Sequence, residues 1–380
     1  MNPEPDIQFT NLILMIRIIF GVLLFGHALI HIIGFASEWR LLPSFLKEFR
    51  LVPLTDTSAK IAGIAWLVIG LLWLTTTILY ILRKNYLWKV ALVTAILSQL
   101  LIIFYWPYGE WGTFVNILVL GLVIVNLAKI KFDRKVEREW SSLVVASGNK
   151  TIAHSVESPL PPVVTKWLST SKSTGRIPSR VILTQRGAMR SKPSGGWMHF
   201  SATQYYTFNP PSFLWNSEVK AGSLTTIAAR DKFENGEGKM LIKPFYIFTL
   251  ANKSGEEMDQ GAMLRFMGEV IWIPEAASMD YFHWKALNST SAELSMTYNG
   301  KTEQGVFTFD ESGMVKSFCA ERFGDFDGQF RKETWEVKIT EHNTINGHLI
   351  GSKCDVTWKL KEGDFTWLRM EVTGISYEYD

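Results

Sequence analysis

Four long apolar runs fill the first third of the sequence and constrain the fold of the chain more than any other feature. They cover roughly Leu12–Phe35, Ile61–Leu82, Leu87–Tyr105 and Phe114–Ile130. A helix needs about 20 apolar residues to cross the hydrocarbon core of a bilayer, and each run has about that length. The first run is too long, and too poor in preceding basic residues, for a removable signal peptide. The sequence therefore predicts a membrane four-helix bundle in residues 1–131.

Basic residues in the short loops indicate how the bundle is oriented, because cytoplasmic loops carry an excess of Lys and Arg. One side has eight of them, namely Arg83, Lys84, Lys89, Lys129, Lys131, Arg134, Lys135 and Arg138. The other side has four, namely Arg40, Lys47, Arg50 and Lys60. This count predicts a cytoplasmic soluble domain, and an extracytoplasmic one is the alternative.

Two histidines in the first run, His27 and His31, are four residues apart and share one helical face. Ionisable groups within a bilayer are costly and often mark function, so the pair is a candidate ligand for a metal or haem, or a proton relay. The other runs offer no Cys, Asp, Glu or second His pair to complete a coordination sphere. The alternative is a neutral pair hydrogen-bonded to helix backbones or to Gln99, and no cofactor is predicted.

The composition changes after residue 131. Residues 132–158 are first charged and then polar, which is typical of a linker, and residues 159–380 form the predicted β-rich domain. There, apolar and polar residues alternate with period two, and Asn-Gly pairs mark hairpin turns. One segment, Glu256–Ile271, has helical spacing, with Ser254 as its expected N-cap. These patterns predict an α+β domain with nine or ten antiparallel strands in a curved sheet or half-barrel, covered by a helix.

Several short motifs in this domain resemble the signatures of a bacterial family of unknown function. They are RGAMR at Arg186–Arg190, the W-x-x-F-x-A-x-Q run at Trp197–Gln204, PPSFLW at Pro210–Trp215, EVIWIPEA at Glu269–Ala276 and ER at Glu321–Arg322. The resemblance implies a bacterial protein whose β-rich domain follows one or several membrane spans. With the four apolar runs, the expected location is the bacterial plasma (inner) membrane, as a multi-pass protein. The expected half-barrel is similar to lipoprotein carriers, and the four spans loosely resemble DoxX-like proteins. None of these resemblances implies an activity.

Arginines, amides and carboxylates in the same motifs form a candidate ligand site. Planar guanidinium groups suit carboxylates and phosphates, so Arg186, Arg190 and Arg322 are expected to bind such a head group at the mouth of an apolar cavity. The candidate residues are Arg186, Arg190, His199, Gln204, Trp215, Arg265, Glu269, Trp272, Glu321 and Arg322. The alternative is an internal network in which the strand arginines meet Glu269 and Glu321 and fix the sheet to the helix.

The composition also excludes several classes of function. The net charge is only +3 and no basic cluster interleaves with aromatic residues, so nucleic acid is not an expected partner. No nucleophile elbow, phosphate-binding loop or zinc-protease motif is present. The expected partners are the lipid bilayer and an apolar or amphiphilic, lipid-like ligand. The alternatives are an interaction scaffold with a filled core, and a hydrolase or isomerase that uses His199 and a carboxylate.

Overall fold

The computed structural model describes residues 7–42, 51–148, 159–222, 224–326 and 328–379. The chain divides into two units, Met1–Ile130 and Lys131–Asp380, and each is described by itself. Lys47 and Arg50, on which the predicted orientation partly depends, lie outside the described residues, as do residues 149–158 of the predicted linker. The orientation and the predicted domain limits therefore stay predictions.

Seven α-helices lie in the described residues. They are α1 (Ile7–Glu38), α2 (Asp56–Ile81), α3 (Leu87–Phe104), α4 (Trp106–Gly109), α5 (Gly112–Ser147), α6 (Pro162–Thr170) and α7 (Glu256–Gly268). Four of them, α1, α2, α3 and α5, are long and apolar enough to cross a membrane. Large apolar side chains such as Ile18, Ile61 and Phe114 are exposed on these helices, which suits a lipid environment and not water. The predicted set of four apolar helices is confirmed.

Thirteen strands in the described part of the chain form one antiparallel sheet. They are β1 (Arg180–Met189), β2 (Met198–Phe208), β3 (Pro211–Ala221), β4 (Thr225–Glu234), β5 (Glu237–Pro244), β6 (Ala251–Lys253), β7 (Phe282–Asn288), β8 (Ser291–Tyr298), β9 (Lys301–Phe309), β10 (Val315–Phe326), β11 (Gln329–Ile345), β12 (His348–Leu360) and β13 (Gly363–Glu378). Their order is β6-β5-β4-β3-β2-β1-β13-β12-β11-β10-β9-β8-β7. The sheet is curved and does not close, because β6 and β7 form its two edges. The predicted half-barrel is confirmed.

Three hairpins turn at the Asn-Gly pairs that the sequence singled out. Asn235, Asn299 and Asn346 all have positive φ, as does the glycine that follows each of them. Positive φ at both central residues defines the tight turn whose twist matches that of the two flanking strands. These turns fix the registers of β4 with β5, β8 with β9 and β11 with β12.

The helix α7 lies across the inner face of the sheet, and Met263, Phe266 and Met267 are buried in the core. It ends at Gly268, where an added Cβ would come within 2.8 Å of the Phe318 ring. Two 3-10 turns, Glu269–Trp272 and Pro274–Ser278, follow it. The predicted end at Ile271 was therefore too late. The predicted cap at Ser254 was also wrong, because Gly255 takes that position with a φ of 116° and no side-chain hydrogen bond.

The part of α5 from residue 131 onward packs on the outer face of β2, β4 and the β5–β6 turn. The Trp140 ring lies 4.8 Å from that of Tyr205, and the Phe132 ring lies 5.6 Å from that of Tyr246. Glu139 forms an ion pair of 3.2 Å with the buried Arg230. The strands in this region are thus covered on both faces.

Candidate functional site

A cavity of about 210 Å³ lies between the inner face of the sheet and α7. Strands from both halves of the sheet contribute to it, together with the end of α7 and the 3-10 turn that follows. Its walls are mostly Met, Ile, Val, Leu and Trp side chains, and the four tryptophans are Trp215, Trp272, Trp335 and Trp367. The charged side chains in the lining are Asp231, Arg265, Glu269 and Arg322. The cavity is therefore apolar, with a small ionic cluster in its wall.

The centre of the ionic cluster is the pair Arg265 and Glu269, one turn apart at the end of α7. Arg265 Nε donates to Glu269 Oε1 at 2.8 Å, and Arg265 Nη1 donates to Asp231 Oδ2 on β4 at 2.9 Å. Burial opposes the charge of the Arg265 guanidinium, but Glu269 and Asp231 outweigh it and raise the pKa of Arg265. Arg265 keeps its charge because Glu269 and Asp231 both lie at hydrogen-bond distance from its guanidinium.

The second carboxylate oxygen of Glu269 is bound from the sheet. Gln204 Nε2 and the hydroxyl of Tyr206, both on β2, donate to Glu269 Oε2 at 2.7 Å each. Burial and the neighbouring Glu269 charge raise the pKa of Tyr206 well above its usual range, so this hydroxyl remains a donor. Both oxygens of Glu269 are thus occupied, which fixes the side chain between helix and sheet.

A chain of amide hydrogen bonds continues from Gln204 across three strands. Gln185 Nε2 on β1 donates to Gln204 Oε1 at 3.0 Å, and Trp215 Nε1 on β3 donates to Gln185 Oε1 at 2.9 Å. Arg265 Nη2 also donates to Gln204 Oε1, at 3.2 Å. Every member of this chain is buried or partly buried, and a buried polar network is favourable when its members are satisfied.

Arg322 of β10 is the second cation in the cavity wall. Its guanidinium carbon lies 4.6 Å from the centre of the Trp335 ring and 5.9 Å from that of Trp358. Gly261 of α7 is also close to it, since an added Cβ there would come within 3.2 Å of Nε and Nη2. Nε is shielded from solvent and has no hydrogen-bond partner among the residues that the structure describes. Burial, and next the positive charge of Arg265, lower the pKa of Arg322 to about 10.

The structure brings together six of the ten residues that the sequence proposed. Five line the cavity, namely Trp215, Arg265, Glu269, Trp272 and Arg322, and Gln204 is bonded to Glu269 in its wall. Trp272 also donates from Nε1 to the carbonyl of Gly351, which fixes the 3-10 turn to β12.

The other four proposed residues lie elsewhere. Arg186 is exposed and pairs with Glu371 at 2.8 Å, while Arg190 donates to the carbonyls of Thr366 and Pro193. His199 and Glu321 are exposed on β2 and β10. Successive strand residues point to opposite faces, so Gln185 and Arg322 face the core while Arg186 and Glu321 face outward.

The expected pairing of the strand arginines with Glu269 and Glu321 was therefore wrong. Glu269 does meet an arginine, but that arginine is Arg265 in the last turn of α7, four residues earlier. Glu321 accepts a hydrogen bond from Thr334 on the outer face of the sheet. His199 also lies on the face of β2 opposite to Gln204, so the two do not form one site.

Three residues of the cluster were not among the predicted ones: Gln185, Tyr206 and Asp231. Gln185 alternates in phase with Val181 and Leu183, both fully buried. A glutamine in phase with apolar residues needs a buried partner, and this pattern was sufficient to predict Gln185. Tyr206 and Asp231 also alternate in phase with buried apolar residues, Tyr206 with Phe200 and Asp231 with Phe233. Their partners follow or lie on a helix distant in sequence, so this pattern does not identify what they bind.

The histidine pair of α1 lies in a separate, neutral cluster. His27 Nε2 and His31 Nε2 lie 3.4 Å and 3.0 Å from the hydroxyl oxygen of Ser98 on α3. Gln99, the predicted partner, instead donates to Thr113 and accepts from Asn116. Within the described ranges no group of three or more His, Cys, Asp or Glu side chains is placed to hold a metal ion. The hypothesis that His27 and His31 bind a metal therefore finds no third ligand in the described residues.

The two cysteines are free thiols. Cys319 on β10 and Cys354 on β12 are separated by β11, which pairs with both strands. A disulfide, which the sequence alone leaves open, does not form between them. Cys354 is buried in the cavity wall, and this burial, with the nearby Asp355 and Glu269 charges, raises the pKa of its thiol to about 12.

Apolar helices followed by an antiparallel half-barrel that encloses a small cavity define the class of this protein. A family model described as a family of unknown function, DUF6544, matches residues 151–370. The match covers more than half of the chain, so the chain belongs to this family, and the resemblance inferred from its motifs is confirmed. Among functionally curated proteins no match is found.

Several solved structures share features of the fold. A DUF1329 family protein from Desulfovibrio piger is 10% identical, with 58% of this chain and 93% of that chain covered and a TM-score of 0.35. A putative outer membrane lipoprotein-sorting protein domain from Vibrio parahaemolyticus is 7% identical, with 56% and 93% covered and a TM-score of 0.28. A porin-like protein from Bacteroides uniformis is 8% identical, with 53% and 98% covered and a TM-score of 0.21. At these TM-scores the likeness does not extend to function.

Proposed function

We propose that the β-rich domain binds an apolar or amphiphilic, lipid-like ligand in its cavity and that the four apolar helices anchor it in a membrane. The observation that carries the proposal is the cavity itself, which is apolar on most of its wall and bordered by fixed polar groups. Ligand sites in proteins commonly combine such a lining with a few oriented polar side chains. A scaffold domain, the alternative, has no need of such a space in its core.

The size of the cavity limits what it accepts. At about 210 Å³ it exceeds the roughly 150 Å³ that holds a benzene ring. It is smaller than the roughly 300–1,000 Å³ typical of drug-sized ligands. We therefore expect it to take a short acyl chain, a ring, or one end of a longer chain.

The walls suit a ligand that varies in shape. Met189, Met240 and Met370 line the cavity, and methionine side chains adapt to irregular surfaces because they are unbranched and flexible. Arg265 is hydrogen-bonded to Glu269 and Asp231, and Glu269 also to Gln204 and Tyr206, so this polar part of the wall is rigid while the apolar part adapts. This division supports binding of one polar end in a fixed place and of variable apolar groups beside it.

The test is binding of a neutral apolar fluorophore, N-phenyl-1-naphthylamine, to the full chain held in amphipol. Ala229→Leu places a larger side chain in the cavity wall. Ala320→Leu, at a similarly buried position outside the lining, is the matched control. We expect Ala229→Leu to weaken binding about tenfold, equivalent to about 1.4 kcal/mol, and Ala320→Leu to leave it unchanged.

Equal affinities in the two variants would overturn the proposal, provided that both unfold at the same temperature as the parent chain. If Ala229→Leu lowers that temperature, Met370→Trp fills the cavity from another strand and replaces it. Native mass spectrometry of the purified full chain then identifies any lipid bound to it.

A further inference from the structure

We propose that the ligand of the cavity carries an anionic oxygen head group, a carboxylate or a phosphate, and that Arg322 binds it. This inference rests on the proposed function and narrows the class of ligand. It follows from the positions of the four charged side chains in the cavity wall.

The two carboxylates in the wall are already engaged by Arg265. Asp231 accepts from Nη1 of Arg265 and Glu269 accepts from its Nε. The remaining oxygen of Glu269 accepts from Gln204 and Tyr206. No hydrogen bond links Arg322 to either carboxylate in the described part of the chain, and its Nε is buried without a partner. Its charge is balanced only at a distance.

A buried guanidinium without hydrogen-bond partners is costly, because each unsatisfied donor loses its interaction with water. Here the cost is reduced by the faces of Trp335 and Trp358, which attract a cation through their ring electrons. In the described part of the chain, Nε–H at the edge of the guanidinium plane has no acceptor. A carboxylate or phosphate accepts two such N–H groups at once, which makes it the complementary group.

The position of Arg322 is fixed before any ligand arrives. The guanidinium lies over the Trp335 ring, and Gly261 lets α7 approach it closely. A prearranged cation loses little conformational freedom on binding, so more of the interaction appears as affinity. The combination of one fixed cation and an apolar wall suits an amphiphile with an anionic end.

Three ligands with the same chain of ten carbons test the inference: decanol, decanoate and decyl phosphate. Each competes with N-phenyl-1-naphthylamine on the full chain in amphipol at pH 7.5. We expect both anions to bind at least tenfold more tightly than decanol. The preferred anion distinguishes a fatty acid carboxylate from a lipid phosphate as the natural head group, and either preference supports the inference.

Arg322→Met removes the charge and keeps an apolar chain of similar length. We expect it to abolish the preference for the anions while decanol binds as before. Arg331→Met is the matched control, because Arg331 also lies over an aromatic ring, that of Phe326, but pairs with Glu333 outside the cavity lining. Arg331→Met is expected to change neither the affinity for decanol nor the affinity for the two anions. Arg322→Lys keeps the charge and is expected to retain part of the preference.

The failures of the two proposals are distinguishable. If decanol and the anions all fail to displace the probe from the parent chain, the proposed function is wrong. If decanol binds but the anions bind no better, or if Arg322→Met keeps their preference, only the head-group inference is wrong. Should Arg322→Met not fold, the loss or persistence of the preference in Arg322→Lys and Arg322→Gln decides the same question.

Discussion

Two clusters of buried polar side chains occur in this protein, and they differ in charge. In the helical unit, His27, His31 and Ser98 form a neutral cluster. In the β-rich domain, Arg265, Glu269 and Asp231 form an ionic one. An ion within a bilayer loses its hydration, and a single partner does not replace it. Neutral polar groups therefore cost less free energy than charged ones in a membrane helix bundle. The core of the β-rich domain can hold these three ions because each of them is hydrogen-bonded to a partner of opposite charge.

The clusters also differ in what surrounds them. The His27 ring lies 4.9 Å from that of Trp73, and the His31 ring lies 4.9 Å from that of Trp66, so large aromatic side chains pack directly on the histidines. The ionic cluster instead borders the cavity. This difference teaches that burial of polar groups does not by itself mark a ligand site. The adjoining space is the reason why ligand binding is proposed for the β-rich domain.

The largest expected effect comes from breaking the ionic cluster at its centre. Arg265→Met leaves Glu269 and Asp231 buried without their partner, and removing one member of a buried ion pair costs about 3–5 kcal/mol. Arg186→Met, which removes an exposed ion pair with Glu371, is the control and should cost about 0–1 kcal/mol. Hydrogen exchange of the β2 and β4 amides in the full chain measures the difference. Similar losses in both variants would mean that the cluster is not buried.

A smaller loss of stability is expected when a single hydrogen bond is removed, and it should be larger for a bond to a carboxylate than for a bond to a neutral carbonyl. The Tyr206 hydroxyl donates to the Glu269 carboxylate, whereas the Tyr281 hydroxyl donates to the neutral carbonyl of Phe208. Tyr206→Phe should therefore cost about 1.5–3 kcal/mol and Tyr281→Phe about 0.5–1.5 kcal/mol. The same exchange measurement compares the two variants, and the reverse order would contradict the larger contribution expected from the Tyr206–Glu269 hydrogen bond.

A substitution in the neutral cluster should lower the free energy of unfolding less than Arg265→Met or Tyr206→Phe does. Ser98→Ala removes the hydroxyl shared by His27 and His31, and polar contacts between membrane helices contribute about 0.6 kcal/mol on average and about 1.7 at most. Ser37→Ala is the matched control, because the Ser37 hydroxyl is buried without a hydrogen-bond partner in the described residues. Denaturant unfolding of the full chain measures both. A loss as large as that of Arg265→Met would indicate that the histidines carry charge or hold a metal, and elemental analysis would then identify it.

Much of the fold could be predicted from local pattern. The four apolar runs, the Asn-Gly turns and the alternating strands are all visible in the sequence. The expected nine or ten strands were fewer than the thirteen found in the described residues, and β3 shows why. Residues Pro211–Trp215 are all buried, because the sheet there is covered on both faces. A strand buried on both faces does not alternate, so period two does not detect it.

The site could be predicted only in part. Arg265 and Glu269 stand four apart in the sequence, and as an exposed pair they would contribute only tenths of a kcal/mol. The structure buries them, because α7 crosses the inner face of the sheet and brings them onto Gln204. Which residues meet across such a crossing depends on the register of distant elements. No local pattern contains that information, so Asp231 and Tyr206 were not predicted, and Arg186, which was predicted, lies outside the cavity lining.

The smallest expected effect leaves stability unchanged and concerns access to the cavity beside the ionic cluster. The thiolate is the reactive form of cysteine, and burial raises the pKa of both thiols, that of Cys354 to about 12. The Cys354 thiol therefore carries little charge at pH 8, and the half-buried Cys319 should react first with an uncharged maleimide.

Cys319→Ser isolates the slow reaction of Cys354. Since Cys354 lines the cavity, decanol should slow this reaction further, and its rate should rise with pH as the thiolate fraction grows. In Cys354→Ser, decanol should leave the rate of Cys319 unchanged, because Cys319 is not part of the lining. If decanol slows both thiols equally, it acts on the whole domain and not in the cavity. Protection of Cys354 alone would locate the ligand in the cavity, beside Glu269 and the ionic cluster.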